Sequence, residues 1–354
     1  MKKYFLAVAS FFIYSHISLG QVYPGQMDST FVPVRSHHYD PELTFDFCVN
    51  EPAWSNQAGI HSAFGSTDRL YFRKEVPVNH DNDLSSSYST TVWRGERANA
   101  QILVWSSEAL EQVRVSTQDL RSAEGNIIPK DRITFELVRY VLSNYPYAEK
   151  KAICGESPYK SGFLMPDRFE TLDRFDLPSQ TTRPVWMMVD VPRGTVPGTY
   201  KGQVEVRAKG KAPQLLNLEI VVQNQLLPYP KDWKYRLDLW QNPWAVAWYN
   251  HVEPWAPEHK MLLKQHLKHY ADAGGTYITT YGVHSPWSDN SYMIEGGMIE
   301  WIKKADGTWA FDYKIFDEYV ELAMECGINE AITLYTPIPW GFRHRYKDEA
   351  TGDY

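Results

Sequence analysis

Three histidines, His259, His266 and His269, fall on one segment of helical periodicity, and imidazole is the commonest side-chain ligand for transition metals. Their spacings of seven and three lack the i, i+4 pair with an intervening glutamate that makes a helical zinc motif. They read as core histidines bonded to backbone, and no metal site is assigned. Ser179 and Ser285 lie near turns, but neither sits in a Gly-x-Ser-x-Gly elbow, so a Ser-His-Asp hydrolase has no motif support. No Gly-rich phosphate loop is present, and no cofactor is implied.

Aromatic residues offer a different chemistry. The chain has 13 Trp, 23 Tyr and 15 Phe, many of them beside Pro, Gly or Asn. Rings carried on loops suit carbohydrate, because the C–H faces of a pyranose pack on π-faces while its hydroxyls bond polar neighbours. The same rings can also simply fill cores. A formal charge of -7, with no Lys/Arg stripe, gives no footprint for phosphate backbones and argues against nucleic acid as a partner. Cys48, Cys154 and Cys326 allow at most one bridge, so stability must come from packed cores.

The N-terminus has a basic start at Lys2-Lys3, an apolar run from Tyr4 to about Ile17, and small residues at Ser18 and Gly20. This is the three-part pattern of a secretory signal peptide over residues 1–20, with cleavage before Gln21. A membrane anchor is the competing reading, but the run contains Ser10, Ser15 and His16 and is short for a span. Export to the periplasm or the medium is expected, with no stable membrane span.

The elements that would position any site fall into two blocks. The first, residues 21–230, is strand-like from Tyr39 to about Gln225: Thr91 to Trp93, Ala100 to Trp105, Val113 to Ser116, Ile133 to Val138, Val185 to Val191, Gly202 to Arg207 and Leu218 to Val222 are short and β-branched and alternate apolar with polar residues. Turn formers at Ala123 to Asn126, Pro192 to Gly194 and Val196 to Tyr200 separate them. This spacing predicts an antiparallel β-sandwich. Leu227-Pro228-Tyr229-Pro230 is a stiff connector to a second block, residues 231–354.

There the period changes. A strand around Leu237 to Leu239, a helix from Glu258 to Ala273 closed by Gly274-Gly275, a strand from Tyr277 to Val283, a helix from Tyr313 to Cys326 closed by Gly327, and a strand from Ala331 to Tyr335 follow in turn. The helix at Glu258 presents Leu262, Leu263, His266, Leu267 and Tyr270 on one side and Lys260, Lys264 and Lys268 on the other. Such alternation is the rhythm of parallel βα units. A (β/α)8 barrel takes about 250 residues, whereas residues 231–354 number 124. The first part of a TIM-type barrel is therefore expected, in a chain truncated at its C-terminus and ending in a loop over residues 345–354; a small open α/β domain is the alternative.

Trp93 to Gln101, Val196 to Gly202, Leu237 to Pro243, Asp306 to Trp309 and Phe311 to Tyr313 together resemble glycoside hydrolase family 123, from roughly Thr90 to Tyr354. The resemblance implies a β-sandwich before a (β/α)8 barrel and a retaining exo-β-N-acetylgalactosaminidase acting on glycans or glycolipids. In such enzymes the substrate's own acetamido group attacks the anomeric carbon. An Asp orients that group, and an adjacent Glu protonates the leaving oxygen and then activates water. Both must stand at the C-terminal end of a barrel strand. Asp317-Glu318 lies within a predicted helix, and Asp348-Glu349 follows no apolar strand, so neither fits. No catalytic residue is assigned, and the pair is expected beyond Tyr354.

What the sequence does place at strand ends is a rim. Trp240, Gln241, Asn242 and Trp244 follow the first strand, Tyr281, His284, Pro286 and Trp287 the second, and Tyr335, Thr336 and Trp340 the third. Of these, Trp240, Gln241, Tyr281, His284, Tyr335 and Trp340 are the candidate residues for binding an N-acetylhexosamine, each of which can instead pack against a loop. Asp238 is expected to bond a neighbouring strand. The other functional class open to the chain is a non-catalytic surface protein whose sandwich binds glycan.

Overall fold

The structure, a computed structural model, describes residues 51–77, 84–143, 163–283, 297–335, 338 and 344–354. The expected signal segment lies outside the described residues. The chain divides into two compact units, Met1–Leu227 and Pro228–Tyr354. The described part is mostly β-sheet with few helices.

Among the described residues the first unit has a short helix α1 (Glu51–Trp54) and twelve strands. They are β1 (His61–Gly65), β2 (Ser87–Arg94), β3 (Arg97–Ser106), β4 (Leu110–Thr117), β5 (Leu120–Arg121) and β6 (Ile127–Ile128), then β7 (Ile133–Ser143), β8 (Phe163–Glu170), β9 (Phe175–Leu177), β10 (Thr181–Asp190), β11 (Gly198–Arg207) and β12 (Gln214–Leu226). One sheet runs β1-β3-β10-β7-β8 and the other β2-β12-β11-β4-β9, with β5 on β11.

Both sheets bury their inward residues in one cluster. Ile102, Val104, Val185 and Met187 come from the first, and Val204, Val206, Leu218 and Ile220 from the second. In β12 the buried positions are Leu216, Leu218, Ile220 and Val222, the period of two that a half-covered strand requires. Each such side chain contributes about 1.5–3 kcal/mol on burial.

Two expectations need correcting here. Val196 to Tyr200 is not wholly a turn, since β11 already begins at Gly198. The sheets are also not entirely antiparallel, because β12 pairs with β2 in parallel, Ile220 opposite Thr90. The turn at Gly95-Glu96 passes the chain from β2 in one sheet to β3 in the other, which fixes the direction of β2 before β12 arrives beside it.

The second unit contains α2 (Pro243–Asn250), α3 (Pro257–Asp272), β13 (Tyr277–Tyr281), β14 (Glu300–Lys303), β15 (Trp309–Asp312), α4 (Lys314–Glu325), β16 (Ala331–Tyr335) and β17 (Lys347–Asp348). Strands β13 and β16 pair in parallel in register, with α4 between them in sequence, which is one βα crossover. The helix α3 buries His259, Leu263, Leu267 and Tyr270, while Lys264, His266 and Lys268 are exposed and Lys260 is half-buried. The buried stripe is thus shifted from the predicted face, where His266 stood among the apolar residues.

Both glycines after α3 are required. Gly274 has φ +94°, the left-handed region that ends helices, and a Cβ on Gly275 would come within 2.3 Å of the Tyr270 ring. That close approach lets Gly275 make a parallel bridge to Leu237. Among the described residues, Leu237 to Leu239, expected as a strand, makes only this bridge; the Tyr270 hydroxyl takes the Leu239 N–H and lies 2.8 Å from the Leu237 carbonyl, so a side chain does the work of a ladder.

The C-terminal segment is likewise not all loop. β17 adds in parallel to β14, which pairs antiparallel with β15 across the Asp306-Gly307 turn. Asp306 accepts from the Thr308 amide at 2.9 Å and Gly307 has φ +84°, the local chemistry of a tight hairpin.

His259 is fully buried and joins three segments. Its Nδ1 accepts the Trp255 amide proton at 2.8 Å, and its Nε2 lies 2.8 Å from the Pro243 carbonyl, to which it donates. One nitrogen accepts and the other donates, so the ring is neutral. Burial holds its pKa below the usual 6.5, against a smaller raising effect of the Pro243 bond. A depressed pKa means that the histidine stabilises the fold above pH 6.5 and that this contribution is lost as pH falls from 6.5 through the folded-state value. The unfolding free energy of wild type over His259→Gln, followed in urea, is expected to be largest near pH 8 and to shrink toward pH 5.

Candidate functional site at the end of a parallel strand pair

Asp238 organises the site. Its Oδ1 accepts from the Thr279 hydroxyl and its Oδ2 from the Thr333 hydroxyl, both at 2.8 Å. Thr279 and Thr333 stand directly opposite each other on β13 and β16. One carboxylate therefore ties the segment before Trp240 to two strands at once, with charge-assisted bonds. The expected bond from Asp238 to a neighbouring strand is present, and it reaches both.

The rim residues then divide by environment. Trp240 is 53% exposed and meets the Tyr335 ring edge-on, centroids 4.5 Å apart. Half-exposed aromatic surface held in a fixed orientation is a platform for the apolar face of a sugar. Gln241 lies beside it, positioned by two tyrosines: Tyr281 donates to its carbonyl at 2.5 Å, and Tyr319 approaches its Oε1 at 3.5 Å. Among the described residues its side-chain nitrogen makes no hydrogen bond. It is left as a donor.

Tyr281 belongs beneath this rim rather than on it. It is fully buried, its hydroxyl is committed to Gln241, and its ring packs against Tyr335 and Trp244. Burial first, and then the neighbouring Tyr335 and Asp238, push its phenol pKa up, so it remains a protonated donor. Tyr319 is raised in the same direction by burial.

Two further rim positions are also structural. Asn242 caps α2, its Oδ1 accepting from the Ala245 amide at 3.1 Å, and Trp244 is buried in the first turn of that helix. The pair Asn242-Pro243 is an N-cap followed by N1 proline, a signal that could have announced α2 from the sequence. His284, Pro286, Trp287, Thr336 and Trp340 lie outside the described residues.

Neither Asp–Glu pair stands at the end of β13 or β16. Asp317 is exposed on α4, and Glu318 pairs with Lys260 at 3.3 Å. Asp348, in β17, has Lys303 at 3.5 Å, and Glu349 has Lys304 at 2.5 Å. Asp348 sits in a strand rather than the loop expected, because its backbone continues the β14 ladder. Among the described residues no group of three or more His, Cys, Asp or Glu could hold a metal.

Beside the rim, sequence reasoning missed a cavity of about 470 Å3 bordered by Trp255, Lys260, Glu300, Trp301, Glu318 and Tyr354. Trp244 connects the two, its ring packing against Tyr281 on one side and Trp255 on the other, at centroid distances of 5.8 and 5.7 Å. The Asp-Gly turn of β14–β15 was the available signal for its outer wall.

The second unit thus carries an aromatic and amide rim at the end of a parallel strand pair. Residues 64–208 match the glycoside hydrolase 123 N-terminal domain, and residues 240–354 match the glycoside hydrolase 123 catalytic domain. The chain belongs to glycoside hydrolase family 123.

Among solved structures, a family 123 glycoside hydrolase from Clostridium perfringens, studied for glycolipid glycan hydrolysis, is similar at 24% identity with a TM-score of 0.71. The match covers 84% of this chain and 51% of that one, so the chain spans about half the length of that enzyme. The PapD-like domain 7 of human CEP192 is similar at 11% identity with a TM-score of 0.23, over 52% of this chain and 99% of that one. A Bacteroides ovatus family 5 xyloglucanase gives 9% and 0.20, over 70% of this chain and 43% of its own. No curated protein matches the chain.

Removing the Asp238 carboxylate leaves two threonine hydroxyls without their acceptor and frees the segment that carries Trp240. Asp238→Ala is expected to lower the stability of the second unit by about 1.5–3 kcal/mol, the range for a hydrogen bond to a charged group. Urea unfolding would show it; a loss under about 0.5 kcal/mol, the scale of a neutral surface change, would mean that water replaces the carboxylate.

Proposed function

We propose that the second unit is the opening part of a (β/α)8 barrel and supplies part of the sugar cleft of a retaining, substrate-assisted exo-β-N-acetylgalactosaminidase. The Trp240 platform over Tyr335, beside the Gln241 amide, is the observation that carries this reading. It lies at the C-terminal end of a parallel strand pair, where barrel enzymes bind their substrates. In this reading Trp240 packs on the apolar face of a terminal N-acetylhexosamine, and Gln241 donates to one of its oxygens. The solved relative's link to glycolipid glycans makes glycans or glycolipids the substrate class proposed here.

The reaction itself needs an Asp to orient the acetamido group and a Glu to act first as acid and then as base. No described Asp–Glu pair occupies a β13 or β16 strand end, so the reading assigns that pair to a later strand, in sequence beyond residue 354. Export through the N-terminal segment is part of the same proposal, placing the enzyme where extracellular glycans are met; among the described residues no helix is long and apolar enough to cross a membrane.

Calorimetric titration with N-acetylgalactosamine is expected to show Trp240→Ala weakening binding about tenfold, about 1.4 kcal/mol. Unchanged affinity would remove Trp240 from the site. A chain that extends past residue 354 and carries a strand-end Asp–Glu pair is expected to release the phenol from an aryl N-acetyl-β-galactosaminide, and failure to do so would sink the enzymatic assignment. For export, mass spectrometry of the protein recovered from its native host is expected to find Gln21 at the N-terminus; an intact Met1 would refute cleavage.

A further inference from the structure

We propose that the outer edge of β15 is a self-association site, at which a second copy of this chain adds its own β15 antiparallel across a two-fold axis through Ala310. The hairpin that carries this strand supplies none of the rim residues. Its sheet runs β15-β14-β17, so β15 and β17 are the two edges. On the β17 side a turn takes up the backbone: the Asp348 amide donates to the Asp353 carbonyl and the Gly352 amide to the Asp348 carbonyl, both at 2.8 Å. Among the described residues no strand pairs with the far side of β15.

The register with β14 determines which backbone groups that edge offers. The Lys304 amide donates to the Thr308 carbonyl at 2.7 Å, Ile302 stands opposite Ala310, and Glu300 opposite Asp312. Hydrogen-bonded and non-hydrogen-bonded pairs alternate along an antiparallel ladder, so Thr308, Ala310 and Asp312 turn their N–H and C=O groups to β14. Trp309 and Phe311 turn theirs away. A mate centred on Ala310 sets Trp309 opposite the partner's Phe311, and Phe311 opposite the partner's Trp309. Each of these pairs exchanges both its N–H···O bonds, and every outward backbone group of Trp309 and Phe311 is used.

The side chains favour the same centre. Trp309 is 46% and Phe311 42% exposed, and both rings meet Trp301 edge-on, which fixes them on one face of the sheet. Aromatic residues opposite each other are stabilising cross-strand pairs. The same register, carried outward, sets Asp306 against the partner's Lys314 and Lys314 against the partner's Asp306, opposite charges on both sides of the axis. Open edges are ordinarily protected by lysine, proline or a bulge within the strand. Trp309 to Phe311 carry none of these. An edge this short buries far less than the roughly 1,600 Å2 of a stable complex, so the dimer is weak and forms as concentration rises.

A cysteine on the axis tests this register in the full chain. In a non-hydrogen-bonded antiparallel pair the Cα atoms stand about 4.5 Å apart, within the span of a disulfide. Ala310→Cys is therefore expected to give a covalent dimer on mild oxidation at high protein concentration, read as a doubled mass on a non-reducing gel. Wild type, the control for Cys48, Cys154 and Cys326, stays monomeric on that gel, and so does Asp312→Cys, which faces the partner's Thr308. Adding Trp309→Lys to Ala310→Cys is expected to lower the cross-linked fraction about tenfold, since the axis repeats the lost aromatic pair. Lys314→Glu, which sets like charges at the Asp306 contact, provides the same comparison with a loss of about threefold should Trp309→Lys fail to fold. An Ala310→Cys chain that stays monomeric overturns the proposal, and it is the result expected if the edge takes a strand of another protein instead. Equal cross-linking of Asp312→Cys, or a yield indifferent to both charge variants, overturns it as well. The readout is independent of glycan binding.

Discussion

The second unit depends on one carboxylate. Asp238 sits in a segment that makes a single backbone bridge among the described residues, so the chain leading to Trp240 and Gln241 has little ladder to hold it. Two hydroxyl bonds, to Thr279 and Thr333, take the place of a strand's worth of backbone pairing. A carboxylate can accept from both sides at once, which no neutral side chain of its size does as well. Through it the rim inherits the rigidity of the β13–β16 pair.

Buried phenols carry that rigidity outward. Tyr270 fixes Leu237 and Leu239, Tyr281 fixes the Gln241 carbonyl, and Tyr319 reaches the Gln241 side chain. Each spends its ring in the core and its hydroxyl on the irregular segment above. The exposed pair Trp240 and Tyr335 therefore rests on a packed aromatic layer, and the same layer continues through Trp244 to Trp255 and the cavity wall. Site and core are built from one set of rings.

Much of the fold was legible because periodicity reports burial. The predicted strands around Ile102, Val204 and Ile220 lie within observed strands, and the segment from Ala331 to Tyr335 is β16 itself. What failed had a local cause in each case. Leu237 to Leu239 has strand-like residues but is held by side chains, and α2 is short enough that its Asn-Pro start was its only sequence signal. The parallel pairing of β2 with β12 joins strands far apart in sequence, which no local pattern encodes.

The sequence by itself determined the family-bearing motifs and the place of Tyr281 and Tyr335 as the last residues of β13 and β16. It could not tell Trp240 from Tyr281, since both follow apolar segments and both are aromatic. Tertiary structure made that decision: Tyr281 lies under Trp244, Tyr335 and the Gln241 backbone and is fully buried, while Trp240 keeps half its surface in solvent. Exposure is a property of what packs over a residue, and the covering elements here come from α2 and β16, tens of residues away along the chain.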